Sequence, residues 1–183
     1  MSSLQKFHRR TNNAPATAAS PFTTIGSGSD TVGYWLGAIG ADKLVVAPKS
    51  TEASLTWGSD GTVRGTINTT VGLANTNTLY AFGQAAHPAA YYCKSLTTGG
   101  YNTWYLPANA ELVSMYSNRL ATPFKVTNHF NSNTTPFWSS TEYNGSYAWM
   151  LGLDNSATGG LYRNGRSKAP YQNNVRAVRR STI

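Results

Sequence analysis

At 183 residues, with 12% charged and 12% aromatic residues, the chain is long enough for one domain with a substantial hydrophobic core and too short for two ordinary domains. Its formal net charge of +8 raises the question of nucleic acid, but the cations sit mainly at the two ends: Lys6, Arg9 and Arg10, then Arg163, Arg166, Lys168, Arg176, Arg179 and Arg180. They carry no zinc-finger, helix-turn-helix or RNA-recognition signature, so nucleic acid is not expected as a partner and an acidic surface explains the charge equally well. Cys93 is the single cysteine, which excludes an intrachain disulfide, and with no apolar run of bilayer length and no apolar leader, neither membrane insertion nor a cleaved export signal is expected.

In chain order, residues 1–31 are rich in Ser, Thr, Ala, Asn and Gly and poor in large apolar residues, so they read as an extended tether ahead of a domain over 32–183. Tyr34-Trp35-Leu36 and Lys43-Leu44-Val45-Val46-Ala47 read as short strands bounded by glycines and Pro48. Residues 52–77 read as loop, with Trp57-Gly58, Asp60-Gly61 and many Thr, Asn and Gly. Two helices are expected next. The first runs over about 85–96, where Ala89, Tyr92, Cys93 and Leu96 recur at helical spacing and Gly99-Gly100 stops it. The second follows Pro107, carries Leu112, Val113, Met115 and Tyr116 with Glu111 in its early turns, and ends near Asn118.

Beyond Arg119 the chain returns to turns and strands, clearest over 148–153 and 174–180. Alternation over the first of these places Trp149, Leu151 and Leu153 inward and Met150, Gly152 and Asp154 on the opposite face. The whole stretch 137–180 has fixed-looking ends, Phe-Trp-Ser-Ser-Thr-Glu-Tyr and Asn-Val-Arg-Ala-Val-Arg-Arg, around a middle crowded with Tyr, Ser, Asn, Gly and Arg. Tyr gives rigid amphipathic contact area and Ser, Asn and Gly give adaptable hydrogen bonding, the composition of a paratope.

The ordered motifs resemble a known family. Ala89-Ala90-Tyr91-Tyr92-Cys93, Leu96, Gly99-Gly100-Tyr101, Trp104-Tyr105-Leu106-Pro107 and Glu111-Leu112 are similar to a bacterial and phage signature reading roughly AxxYCxxLxxGGYxDWRLPxxxEL. Phe137-Trp138-Ser139-Ser140-Thr141-Glu142-Tyr143, Ala148-Trp149 and Val175-Arg176-Ala177-Val178-Arg179 match its second half, usually YWSST, AW and VRPVR, so the resemblance covers about 33–180. The family includes the C-terminal domain of Legionella collagen-like adhesins and fibrobacter surface domains. It implies an α+β, C-type-lectin-like fold: two helices against a small twisted antiparallel sheet, with long loops on one face. Two departures, Tyr105 where the family usually has Arg and Thr103 where it often has Asp, each remove a charge and imply that the usual ion pair is missing or replaced.

The fold alone leaves function open. Trp-Ser-Ser-Thr-Glu lacks the Gly-x-Ser-x-Gly elbow of a serine nucleophile and has no histidine at a suggestive spacing, so its hydroxyls are expected to satisfy neighbouring backbone groups and no enzymatic activity is expected. His8, His87 and His129 show no metal-ligand spacing, and the acidic residues are isolated along the chain, against a calcium site as in lectins of this fold. Formylglycine-generating enzymes of the fold superfamily rely on cysteine chemistry, whereas the lone Cys93 on a helix face reads as a packed thiol. Neither metal nor cofactor is expected. For Glu111, Arg176 and Arg179 at least one buried or half-buried pairing is expected.

Weight therefore falls on 143–171, where Tyr143, Tyr147, Tyr162 and Tyr171 beside Arg163 and Arg166 are residue types enriched in binding hot spots. Expected ligand-binding positions are Tyr143, Ser146, Tyr147, Met150, Gly152, Asp154, Tyr162, Asn164, Arg166, Ala169 and Tyr171. Some members of the family and fold are variable proteins of diversity-generating retroelements, in which adenine-directed mutagenesis of Asn codons rewrites the last strands and loops. An AAC codon altered at both adenines reaches Tyr, Ser, Gly, Asp, Arg and Ala but not Trp, Lys or Met, which fits most of these positions, marks Trp149 and Lys168 as scaffold and leaves Met150 unexplained. The resemblance thus implies a phage fibre or receptor-binding tip that recognises a host-surface protein or glycan. Its N-terminal arm would attach to other virion proteins, its location would be the virion surface, and it would form a homo-oligomer, fibres being commonly trimers. The alternative is a bacterial surface adhesin or structural domain at the cell surface.

Overall fold

The computed structural model describes residues 24–25, 33–39, 42–59, 61–117, 136–153 and 161–182; of residues 24–25, 33–39, 153, 161–166 and 182 it describes the backbone. Strand β1 (Thr24–Ile25) pairs with β2 (Gly33–Ile39), β2 with β3 (Asp42–Val46), and β3 with β9 (Val178–Thr182), all antiparallel. A second sheet has the order β4 (Ala53–Thr56), β8 (Gln172–Val175), β5 (Phe137–Glu142), β6 (Tyr147–Leu153), β7 (Leu161–Ser167). It is mixed, because β5 and β8 run parallel where Phe137 meets Asn174. Three helices, α1 (Gly72–Tyr80), α2 (Pro88–Ser95) and α3 (Asn109–Ser117), stand among the described residues, and the fold is α+β. β1 lies within the segment expected as a tether, the rest of which falls outside the described residues.

The strands feed two cores, one on each side. On β3, Leu44 and Val46 join Tyr105, Leu112, Met115, Phe137, Leu151 and Val178 around α3. The intervening Val45 and the following Ala47 join Trp57, Leu79, Ala90, Cys93, Trp104, Trp138 and Met150 around α1 and α2. A strand buried on both faces reads as a continuous apolar run, which is how Leu44-Val45-Val46-Ala47 reads. Indole N–H groups tie the second core to the second sheet: Trp57 donates to the Ser139 carbonyl (2.8 Å) and Trp138 to that of Leu55 (2.9 Å).

Burial on both faces also corrects the alternation expected for β6. Leu151 enters the α3 core, Met150 and Ala148 enter the other, Gly152 is buried, and Trp149 is half-buried. No open face is left by Met150 and Gly152, because β6 is an inner strand between β5 and β7 with a core against each side.

Helix α1 is the second correction, since 52–77 reads as loop and two helices were expected. Its buried positions, Gly72, Asn75, Thr76 and Leu79, have helical spacing, but two of them are polar and are satisfied on site. The Asn75 amide donates to the Asn68 carbonyl (2.7 Å), and the Thr76 hydroxyl both donates to the Leu106 carbonyl (3.1 Å) and accepts from the Leu106 N–H (3.0 Å). The period is present in burial and absent in hydropathy. The two helices expected from the sequence are α2 and α3: α2 begins at Pro88, tolerated at its first turn, and α3 ends at Ser117.

Glu111 fastens the α3 end of the molecule. Fully buried, it accepts from the N–H of Ala108 (2.9 Å) just before α3, the N–H of Gly72 (3.0 Å) at the start of α1, the Tyr105 hydroxyl (2.8 Å) and the Arg180 guanidinium (3.0 Å). The bond to Ala108 is the reach-back of a capping box. Gly72 is needed for the approach, since a Cβ there would stand 2.2 Å from the Leu106 carbonyl oxygen. The charge missing at Tyr105 is therefore supplied by Arg180 from β9, while Tyr105, its own ionisation pushed up by burial and then by Glu111, stays a neutral donor. Arg176 pairs with Glu52 (3.1 Å), and Arg179 lies over the Tyr101 ring (3.7 Å).

Candidate functional site

The link between β5 and β6 is a tight turn built by Asn144. Its side-chain carbonyl accepts from the N–H groups of Ser146 and Tyr147 (both 2.9 Å), while the Tyr143 and Asn144 N–H groups donate to the Tyr147 carbonyl (2.9 and 3.0 Å). This closure sets Tyr143 and Tyr147 at the tip, 54% and 43% exposed. Tyr143 does not hang loose: its ring stands edge-on to Trp149, with centroids 4.9 Å apart.

Beneath the turn lies a buried ion pair. Lys168, just past β7, is fully buried, and its ammonium donates to Glu142 at the end of β5 (2.5 Å) and to the carbonyls of Thr62 (2.9 Å) and Gly145 (2.8 Å). All three of its donors are used, and the Trp57 ring centroid lies 4.8 Å away. The Glu142 carboxylate in turn accepts from the N–H groups of Arg64 and Gly65 (2.9 Å each). The pair thereby joins three chain segments: the 61–66 loop, the 143–146 turn and the link after β7, whose Lys168 N–H also bonds the Ser146 carbonyl (3.0 Å).

The clamped loop widens the tip into a face. Val63 and Ile67 are 68% and 77% exposed, and an added Cβ on Gly145 would lie 3.6 Å from Val63. Phe82, half-exposed after α1, carries the Arg64 guanidinium 4.2 Å above its ring and meets His87 edge-on at 5.8 Å. Exposed apolar and aromatic side chains held by buried polar bonds are suited to recognition: the area is available and its ordering is already done.

Of the sequence-expected positions, Tyr143, Ser146 and Tyr147 come together at this tip. Ala169, half-buried, and exposed Tyr171 lie on the β7–β8 link, which contains a cis Ala169–Pro170 bond and in which the Ser167 hydroxyl donates to the Ala169 carbonyl. Tyr162, Asn164 and Arg166 are placed by register on β7, opposite Gly152, Met150 and Ala148; their side chains lie outside those described, as does all of Asp154. Met150 is corrected: 6% exposed, it packs in the core and its sulfur accepts a long contact from the Asn173 amide (3.9 Å). Sequence reasoning missed Val63, Arg64, Ile67 and Phe82. Their signal was weak, since they are isolated apolar or cationic residues; the Glu142 clamp holds the loop that carries Val63 and Arg64, and Arg64 in turn lies over Phe82.

The hydroxyls of Ser139, Ser140 and Thr141 are buried and serve the backbone and scaffold: Ser139 accepts from the Thr141 N–H (3.0 Å), and Thr141 bonds the Asn68 carbonyl (2.9 Å). Cys93 is buried and its thiol is pushed up by burial. Among the described residues no three His, Cys, Asp or Glu side chains gather as a metal group, and no helix is long and apolar enough to cross a membrane.

The fold and face define a class: an α+β domain whose two sheets and three described helices carry an aromatic tip clamped by a buried ion pair. The Lcl C-terminal domain family, named for the Legionella collagen-like protein, matches residues 48–179, and the chain belongs to that family. Membership supports an adhesin-like or surface-associated bacterial domain. No curated protein matches the chain.

Proposed function

We propose that the protein is a non-enzymatic recognition domain that binds a host-surface protein or glycan through the face formed by the Tyr143–Tyr147 turn and the 61–67 loop. The observation that carries this reading is the Glu142–Lys168 clamp, which holds exposed Tyr143, Tyr147 and Val63 in one ordered surface. Binding rests on ring stacking and packing, with hydrogen bonds from the tyrosine hydroxyls and neighbouring polar groups. Tyr162, Asn164, Arg166, Ala169 and Tyr171 extend the same proposal along β7 and its link to β8. Tyr143→Ala with Tyr147→Ala reduces binding of the purified protein to susceptible cells by about a hundredfold or more, the loss of two hot-spot residues. Undiminished binding by the folded double variant overturns the site.

Two carriers fit the face. On a virion it is a phage fibre or receptor-binding tip, a reading supported by the Tyr-, Ser-, Gly- and Arg-rich composition of 143–171, which suits diversification. On a bacterial cell it is an adhesin domain, the reading that family membership favours. Mass spectrometry of purified particles and of surface-shaved cells separates them, and a near-copy of the DNA encoding 137–180, differing only at adenines and lying beside a reverse transcriptase, decides for diversification.

A further inference from the structure

His87 stands at the entry to α2, fully buried, and neither ring nitrogen makes a hydrogen bond of normal geometry among the described residues, the Trp57 carbonyl being the backbone acceptor that still acts on the ring. A buried polar group without a partner is costly and is the exception in folded proteins. The ring is packed tightly: Trp57 meets it edge-on at 5.2 Å, Phe82 at 5.8 Å, and a Cβ on Gly58 would lie 2.1 Å from Nδ1. Glycine at position 58 is what admits the imidazole.

The charged groups that face the ring are those of the clamp. Arg64 acts on it from the 61–66 loop, Lys168 from the link after β7 and Glu142 from β5, while the Trp57, Gly58, Phe82 and Ala86 side of the pocket is apolar or backbone. Glu142 is already engaged by the Lys168 ammonium and by two backbone N–H groups. A proton on His87 thus adds a cation beside two others, with no carboxylate left to receive it. Burial pushes the imidazole down to about 4; Arg64 adds to this, the Trp57 carbonyl opposes it, and Lys168 and Glu142 follow with opposite signs.

We propose that His87 is an acid-operated latch under the recognition face: neutral, it seats Phe82, Arg64 and the 61–66 loop, and on protonation it leaves its pocket and releases them. The biological consequence, letting go of a bound partner in an acidic compartment, rests on the recognition reading above; the latch itself does not. The sign follows from linkage. A group whose folded pKa is depressed below 6.5 is neutral in both states above that pH, and below it only the opened state takes the proton. Opening therefore grows by up to about tenfold per pH unit as pH falls from 6.5 toward 4.

The test follows the Arg64 and Gly65 amides, which are bonded to Glu142, by hydrogen exchange corrected for intrinsic rates, with the His87 ring titrated by nitrogen NMR in the same sample. Between pH 6.5 and 5, above the ordinary carboxylate range, their protection falls by up to about thirtyfold in the natural protein while the Tyr105 and Val178 amides hold. In His87→Phe or His87→Gln the fall is absent. A fall that persists in a folded variant, or a ring that titrates near 6.5 with flat protection at Arg64 and Gly65, overturns the latch. Should neither variant fold, the natural protein decides alone, by whether loop protection tracks the ring. Unchanged cell binding by the Tyr143 and Tyr147 variants would remove the recognition reading and leave this result standing, whereas flat protection would remove the latch and leave the binding.

Discussion

Glu111 and Glu142 are both buried, and each is met by one cation and by backbone N–H groups, yet they hold different things. Glu111 ties the starts of α1 and α3 to β9, so every group it touches belongs to the scaffold. Glu142 holds an exposed loop against an exposed turn, and its partner Lys168 spends two more donors on the carbonyls of those same segments. A buried carboxylate satisfied by backbone N–H groups is thus used once to assemble the fold and once to order a surface. The comparison supports the proposed recognition face: the groups held by the second carboxylate, Arg64, Gly65 and through Lys168 Thr62 and Gly145, lie in an exposed loop and turn.

The largest expected effect breaks the scaffold side. Glu111→Ala leaves the Tyr105 hydroxyl, two N–H groups and the Arg180 Nε–H without their acceptor, Arg180 keeping Asp42 and the Thr70 carbonyl, and costs about 3–5 kcal/mol in global unfolding by denaturant. On the display side, Lys168→Met leaves Glu142 buried without its cation and lowers the cost of opening the loop and turn by about 3 kcal/mol, read as local amide exchange rather than global unfolding, and adding Glu142→Gln restores part of it, because removing both charges avoids an unpaired one. Tyr105→Phe is the smallest: losing one hydroxyl donor to a carboxylate that keeps Arg180 costs about 1–2 kcal/mol, with the midpoint of unfolding shifted and its slope unchanged.

Legibility in the sequence follows the same division. β3 and α2 were readable because their inward positions are apolar, α3 because apolar Leu112, Met115 and Tyr116 follow the buried Asn109 and Glu111 of its first turn, and the closing Val-Arg-Ala-Val-Arg run was readable as scaffold, with Val175, Ala177 and Val178 in the cores. α1 was not, since Asn75 and Thr76 occupy inward positions and are satisfied by backbone 7 and 30 residues away. The inward and outward assignment on β6 failed for Met150 because a two-faced core erases the meaning of alternation. At the face, the tyrosines of the turn were legible from composition, whereas the loop of Val63 and Arg64 is held beside them by long-range bonds such as Arg64 to Glu142, 78 residues apart, and Phe82 joins through the Arg64 guanidinium above its ring. The loss of charge at Tyr105 was visible, and its replacement by Arg180, 69 residues beyond Glu111, was a matter of pairing between strand and helix.

The division between scaffold and display is tested most directly by residue-resolved hydrogen exchange on Lys168→Met at neutral pH. Protection is expected to be lost at Arg64, Gly65, Tyr143 and Asn144 while the amides of Tyr105, Leu112 and Val178 keep theirs. Loss spread evenly through those scaffold amides, or no loss at the loop and turn, would contradict a clamp that orders the face separately from the fold.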